Sequence, residues 1–144
     1  LTKPIGTGTL MAAAMRDTVS GHHIAAALEV MQQPSDQAAE ILCAAGARAM
    51  TDVTGFGLAG HAQSLADASG LEAKIDMNAV PLLPGALEMA EAGIRSSLYG
   101  ANATSLGVDP EGLIRRPQAA FSRLCRATPN LCCVSSTRQA FLHL

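Results

Sequence analysis

Aromatic residues are nearly missing from this 144-residue chain, which has no Trp, one Tyr and three Phe. That excludes an aromatic-rich β-sandwich core and favours small aliphatic side chains packed closely between helices and a sheet. Excess charge of one sign is missing too. A formal net charge of −2 gives no general pull toward nucleic acid or a membrane surface. No apolar run approaches the roughly 20 residues that span a bilayer. Leu1 to Leu10 lacks the charged start and apolar block of a signal peptide. Zinc-ligand spacing is absent among the four cysteines, because Cys132 and Cys133 are adjacent. Cys43, Cys125, Cys132 and Cys133 are therefore expected to be reduced structural thiols in a cytoplasmic protein, with Cys43 buried in a helix. There is no initiator Met, so the chain is expected to be a piece of a longer protein.

What is present is a 49% hydrophobic sequence, long enough for one domain with its own core. Leu1–Ile5 reads as a short strand ending at a Gly6-Thr7-Gly8-Thr9 turn, and Leu10–Met15 as helical. Ser20 is a candidate N-cap for a helix over His22–Gln32, with Ile24, Leu28 and Met31 on one face. Pro34 opens a further helix whose apolar side is Ala38, Ala39, Ile41, Leu42 and Ala45, closed at Gly46. Ala47–Val53 reads as a buried strand. Thr54 can cap a helix over Phe56–Ala68, buried along Leu58, Ala62 and Leu65. Leu71–Met77 alternates apolar and polar, a half-buried strand. After a proline-rich loop (Val80–Pro84), Gly85–Ala92 predicts a short helix. The methionines at 11, 15, 31, 50, 77 and 89 read as core filler. The order β, α, α, α, β, α, β, α predicts an α+β fold, layered helices on one mixed sheet.

Charge texture changes near Asp109. Up to that residue there are five basic and eleven acidic residues; beyond it there are five Arg and one acid, Glu111. Residues 1–109 therefore read as the domain. Residues 110–144 read as an atypical Arg- and Cys-containing tail, altered or loosely ordered. Five dispersed arginines without interleaved aromatics are a poor RNA-binding pattern.

The most informative run is Thr51-Asp52-Val53-Thr54-Gly55-Phe56-Gly57-Leu58-Ala59-Gly60-His61-Ala62. One carboxylate lies between a strand and a glycine-rich turn that enters a helix. That placement suits a Mg²⁺ carrying phosphate, since the ion takes oxygen ligands and keeps several waters. A helix N-terminus adds unpaired N–H groups for phosphate oxygens. The plainer reading of Asp52 is a cap or turn carboxylate. Thr54 and Gly55 either present hydroxyl and N–H groups to a nucleotide or serve as cap and turn. Gly57 and Gly60 suit close helix packing. Gly6–Thr9 reads as a tight turn sooner than a phosphate loop, lacking a Walker or dinucleotide spacing. His22, His23 and His61 have no partner at metal-ligand spacing, and His61 reads as structural or interfacial.

Two segments, Leu1-Thr2-Lys3-Pro4-Ile5-Gly6-Thr7-Gly8-Thr9 and Thr51–Ala62, resemble the second half of selenophosphate synthetase (selenide, water dikinase). Ala38-Ala39-Glu40 and Ala92-Gly93-Ile94 fit the same pattern, and the resemblance covers roughly residues 1–107. It implies a carboxy-terminal domain of the aminoimidazole ribonucleotide synthetase superfamily, from a homodimeric two-domain enzyme. That family converts ATP, selenide and water to selenophosphate, AMP and phosphate, with ATP and several Mg²⁺ ions held between domains. Asp52 matches the family's Mg²⁺-binding Asp; Lys3 does not match its catalytic Lys. The reactive Cys or selenocysteine, the catalytic Lys and most metal-binding Asp residues belong to the amino-terminal half, so this fragment is expected to be inactive alone. The Asp-Pro-Gln-Thr-Ser-Gly-Gly segment expected near Ala127-Thr128-Pro129-Asn130 is absent, as a shifted reading frame would produce. The alternatives are a non-catalytic interaction or dimerisation module of the same fold, or another ATP-using superfamily member.

Overall fold

The computed structural model describes residues 1–71, 73, 75 and 79–106, and the backbone of 141–143. Six helices lie in this part: α1 (Thr7–Ala14), α2 (Gly21–Gln32), α3 (Asp36–Ala44), α4 (Gly57–Ser69), α5 (Ala86–Glu91) and α6 (Tyr99–Ser105). Two strands, β1 (Met50–Asp52) and β2 (Phe141–His143), form an antiparallel pair with Asp52 opposite Phe141.

The helices form where the sequence punctuates them. Ser20 caps α2, its hydroxyl oxygen accepting from the His22 N–H at 3.3 Å. Gly70 closes α4 in the left-handed conformation. α1 starts three residues earlier than its apolar pattern suggests, because Gly6 supplies the turn. Its φ of +138° belongs to glycine, and a Cβ there would stand 2.5 Å from the Ala86 Cβ. The turn thus lets α1 lie directly on the start of α5.

Two small cores result. One gathers Ile5, Val53, Leu58 and Ala59, with Leu82 and Leu106 against them. The other gathers Leu10, Ala13, Ala27, Leu83, Ala86 and Met89. Short side chains dominate both, as the shortage of aromatics implies. The chain crosses between them at Ile5, whose N–H donates to the Pro81 carbonyl at 2.9 Å and whose carbonyl accepts from Leu83 N–H at 2.8 Å.

Several expectations need correction. Among the described residues the mixed sheet is not seen: there is one antiparallel pair and an isolated parallel bridge, Ile5 with Leu82. The strand expected over Ala47–Val53 shortens to three residues, none fully buried, and only Val53 beyond it enters the core. Thr54 does not cap α4. Phe56 occupies the cap position without a side-chain bond, and the Thr54 side chain turns to His61 instead. α3 buries no residue, so Ile41 (68% exposed) and Cys43 face solvent, against the buried thiol expected. Met15 is exposed too, since it stands just past the end of α1. The half-buried strand over Leu71–Met77 falls largely outside the described residues, as do Met77, Cys125, Cys132 and Cys133. Of the 110–144 tail, only β2 is described.

Candidate functional site

β1 delivers the candidate carboxylate. Strand side chains alternate, so Val53 entering the core sends its neighbour Asp52 outward. Val53 is completely buried and Asp52 is exposed. The chain then turns through Thr54 and Gly55 into α4.

Two side chains distant in sequence hold this turn. His61, one turn into α4, accepts the backbone N–H of Thr54 on Nε2 at 3.1 Å, with Thr54 Oγ1 at the same distance. Its Nδ1 lies 3.5 Å from Thr51 Oγ1. Accepting a backbone N–H requires a lone pair on Nε2, so the neutral ring carries its proton on Nδ1. Phe56 packs over the imidazole with ring centroids 5.9 Å apart, while remaining 69% exposed. Partial burial lowers the His61 pKa below its ordinary value, and the Asp52 charge opposes that shift. From the other side, buried Asn102 of α6 donates its Nδ2 hydrogen to the Gly55 carbonyl at 2.7 Å. Leu98 closes against Gly55, where a Cβ would meet its Cδ1 at 2.9 Å.

The structure therefore brings Asp52, Thr54 and Gly55 together on one braced turn. It keeps the other candidates apart. Of Gly6–Thr9, Gly6 stands against Leu83 and Ala86 while Thr7–Thr9 form the first turn of α1, so the tight turn expected over all four residues is a helix start. His23 lies against Gly85, and His22 is exposed beside it. Lys3 is buried and donates to the Gln33 carbonyl, and burial lowers its pKa. Among the described residues no group of three His, Cys, Asp or Glu can hold a metal by itself. Asp52 can supply one oxygen ligand, so a metal here would need other ligands from elsewhere.

Asn102 was not singled out in the sequence. Nothing in Tyr99-Gly100-Ala101-Asn102-Ala103-Thr104-Ser105 signals a helix, since Gly, Asn, Thr and Ser are weak helix formers. Its role rests on a contact 47 residues away.

The chain belongs to the family of the AIR synthase related protein, C-terminal domain, whose profile matches residues 1–105. Its relatives make the resemblance particular. It is similar to a selenide, water dikinase of Caldanaerobacter subterraneus subsp. tengcongensis, 39% identical over 94 residues, 65% of this chain and 27% of that protein. It is similar also to the selenide, water dikinase of Escherichia coli (strain K12), 40% identical over 93 residues, with the same coverage of each. The chain thus spans about a quarter of these relatives' length, and the resemblance seen at Leu1–Thr9 and Thr51–Ala62 is borne out. Among the described residues no helix is long and apolar enough to cross a membrane.

Proposed function

We propose that this chain acts as the carboxy-terminal part of an ATP-dependent selenide, water dikinase, supplying one Mg²⁺ ligand, Asp52, and contacts to an amino-terminal half. The observation carrying this reading is the exposed Asp52 carboxylate beside a turn braced by His61 and Asn102. A single carboxylate suits Mg²⁺, which retains waters and shares phosphate oxygens. Bound there, the ion would neutralise charge on the nucleotide's phosphates. Of the two candidates for the phosphate side, Gly55 would offer its N–H, while the Thr54 hydroxyl is held by His61 and serves the turn. ATP and selenide are the substrates, and the subunits pair as homodimers in the cytoplasm. In this reading residues 1–109 are the working domain, and the 110–144 tail is the product of an altered frame.

A second reading has one observation in its favour. α3 presents Ile41 to solvent and buries nothing, as a protein-interaction or dimerisation module would.

Titrating Mg²⁺ and ATP into this chain mixed with the separately expressed amino-terminal half of a relative tests both. The enzyme reading expects Asp52→Asn to weaken Mg²⁺-dependent ATP binding at least tenfold. Unchanged binding would overturn it and leave the module. Without that half, the chain is expected to form no AMP from ATP and selenide.

A further inference from the structure

We propose that His61 and Asn102 are positioning residues for Asp52, gripping the Thr54–Gly55 turn from two sides so that the carboxylate departs from one fixed backbone position. The proposal rests on the metal-binding reading of Asp52 and assigns how that ligand is held.

Three separate anchors converge within three consecutive residues. The Val53 side chain is locked in the core. The Thr54 N–H is bonded to His61 Nε2 at 3.1 Å. The Gly55 carbonyl is bonded to Asn102 Nδ2 at 2.7 Å. The anchors come from different elements, namely α4, α6 and the loop's own core contact, so no single rigid motion satisfies all three. Asp52 lies immediately before them, so its backbone, and with it the direction in which its exposed side chain leaves the strand, is set by the same anchors.

The residue types fit the task. A backbone N–H needs an acceptor, and neutral imidazole supplies one on a short, stiff side chain. A backbone carbonyl needs a donor, and the Asn amide supplies one without burying a charge. The ring's second nitrogen reaches Thr51 Oγ1, so one side chain ties the residue before Asp52 to the residue two beyond it. Phe56 stands beside the imidazole, the two rings tilted at 58° with centroids 5.9 Å apart. An octahedral ion tolerates little misplacement of its ligands. Groups that orient ligands commonly change metal affinity by about ten- to a hundredfold when removed.

The first measurement needs no substitution. In the uniformly ¹⁵N-labelled 144-residue chain, the His61 Nε2 resonance should fall in the unprotonated imidazole range and show scalar coupling to the Thr54 amide nitrogen across the hydrogen bond. A protonated Nε2 near neutral pH would overturn the proposal. In His61→Leu and Asn102→Leu, the Thr54 amide should exchange with solvent at least tenfold faster and the Asp52 amide should lose order. His61→Gln, which retains an acceptor, should recover most of both. Unchanged exchange and order in the folded Leu variants would also overturn it, and if either fails to fold, His61→Ala or Asn102→Ala, each lacking the anchoring group, takes its place beside the resonance and coupling of the unsubstituted chain. With the amino-terminal half added, Mn²⁺ as the probe should bind about tenfold more weakly to both Leu variants. If Asp52→Asn leaves Mn²⁺ affinity unchanged while the exchange results hold, the clamp stands and the metal reading falls. If Asp52→Asn abolishes affinity and the Leu variants retain it, the positioning role falls and the metal reading stands.

Discussion

Asn102 reaches back 47 residues to donate a 2.7 Å hydrogen bond to the carbonyl oxygen of Gly55. The amide is buried, so the carbonyl would find no ready substitute partner if it were removed. Losing a buried hydrogen bond and leaving one group unpaired costs about 1–3 kcal/mol. Asn102→Ala is therefore expected to lower unfolding free energy by about that amount, measured by urea denaturation of the whole chain. Asn102→Asp should cost more, because a carboxylate would face the Gly55 carbonyl with no hydrogen to give.

A different close approach lies between His23 of α2 and Gly85, the residue that precedes α5. Gly85 has φ of +81°, and a Cβ there would stand 2.3 Å from His23 Nδ1. Gly93 has a similar φ of +87° with nothing within 4 Å. The pair separates backbone strain from steric conflict. Gly93→Ala is expected to cost about 1–2 kcal/mol, the strain of a left-handed conformation alone. Gly85→Ala should cost more than Gly93→Ala, and His23→Ala in the same chain should recover the excess. Thermal unfolding of these three variants against the unsubstituted chain measures this.

Local signals in the sequence located what local physics determines. Ser20 as a cap, Gly70 as a stop and the Leu58 and Ala62 stripe of α4 are each decided within a few residues, and each was legible. The face expected on α2 was not, since Leu28 is exposed and only Ala27 is buried. The Thr51–Ala62 run was legible as a turn carrying one carboxylate. Thr54 was misread as a cap because its hydroxyl has two competing partners nearby, the first turn of α4 and the His61 ring. The ring wins because it takes the backbone N–H and the hydroxyl together. α6 was missed because its helical propensity is poor and its anchor is a tertiary bond. Cys43 was misplaced because an apolar stripe tells only that a helix has a face to cover. It does not tell whether this chain covers it.

The Ser20 cap offers a small and separable test. Its hydroxyl accepts one of the orphan N–H groups at the start of α2. Ser20→Ala is expected to cost about 1 kcal/mol, and Ser20→Asp or Ser20→Asn close to nothing. The bond is exposed and shares no hydrogen-bond partner with the Thr54 turn, so Mg²⁺-dependent ATP binding should be unaffected by all three.

The imidazole that braces the turn also sets a pH dependence. Partial burial holds the folded His61 pKa below the ordinary value of 6.5, with the nearby Asp52 charge opposing part of the shift. Between the folded and ordinary values the unfolded chain binds more protons than the folded one, so acid favours unfolding there. Stability is fully present above about pH 6.5, falls as pH drops toward the folded pKa, and levels off below it. Protonation also places a hydrogen on Nε2, where the Thr54 N–H already points, so the turn should open over the same range. His61→Gln cannot titrate and should remove this part of the acid loss. The measurement is the difference in unfolding free energy between the unsubstituted chain and His61→Gln from pH 8 to 5, which subtracts the carboxylates common to both. A difference that stays constant across that range would show that His61 bears no pH-linked load in the fold.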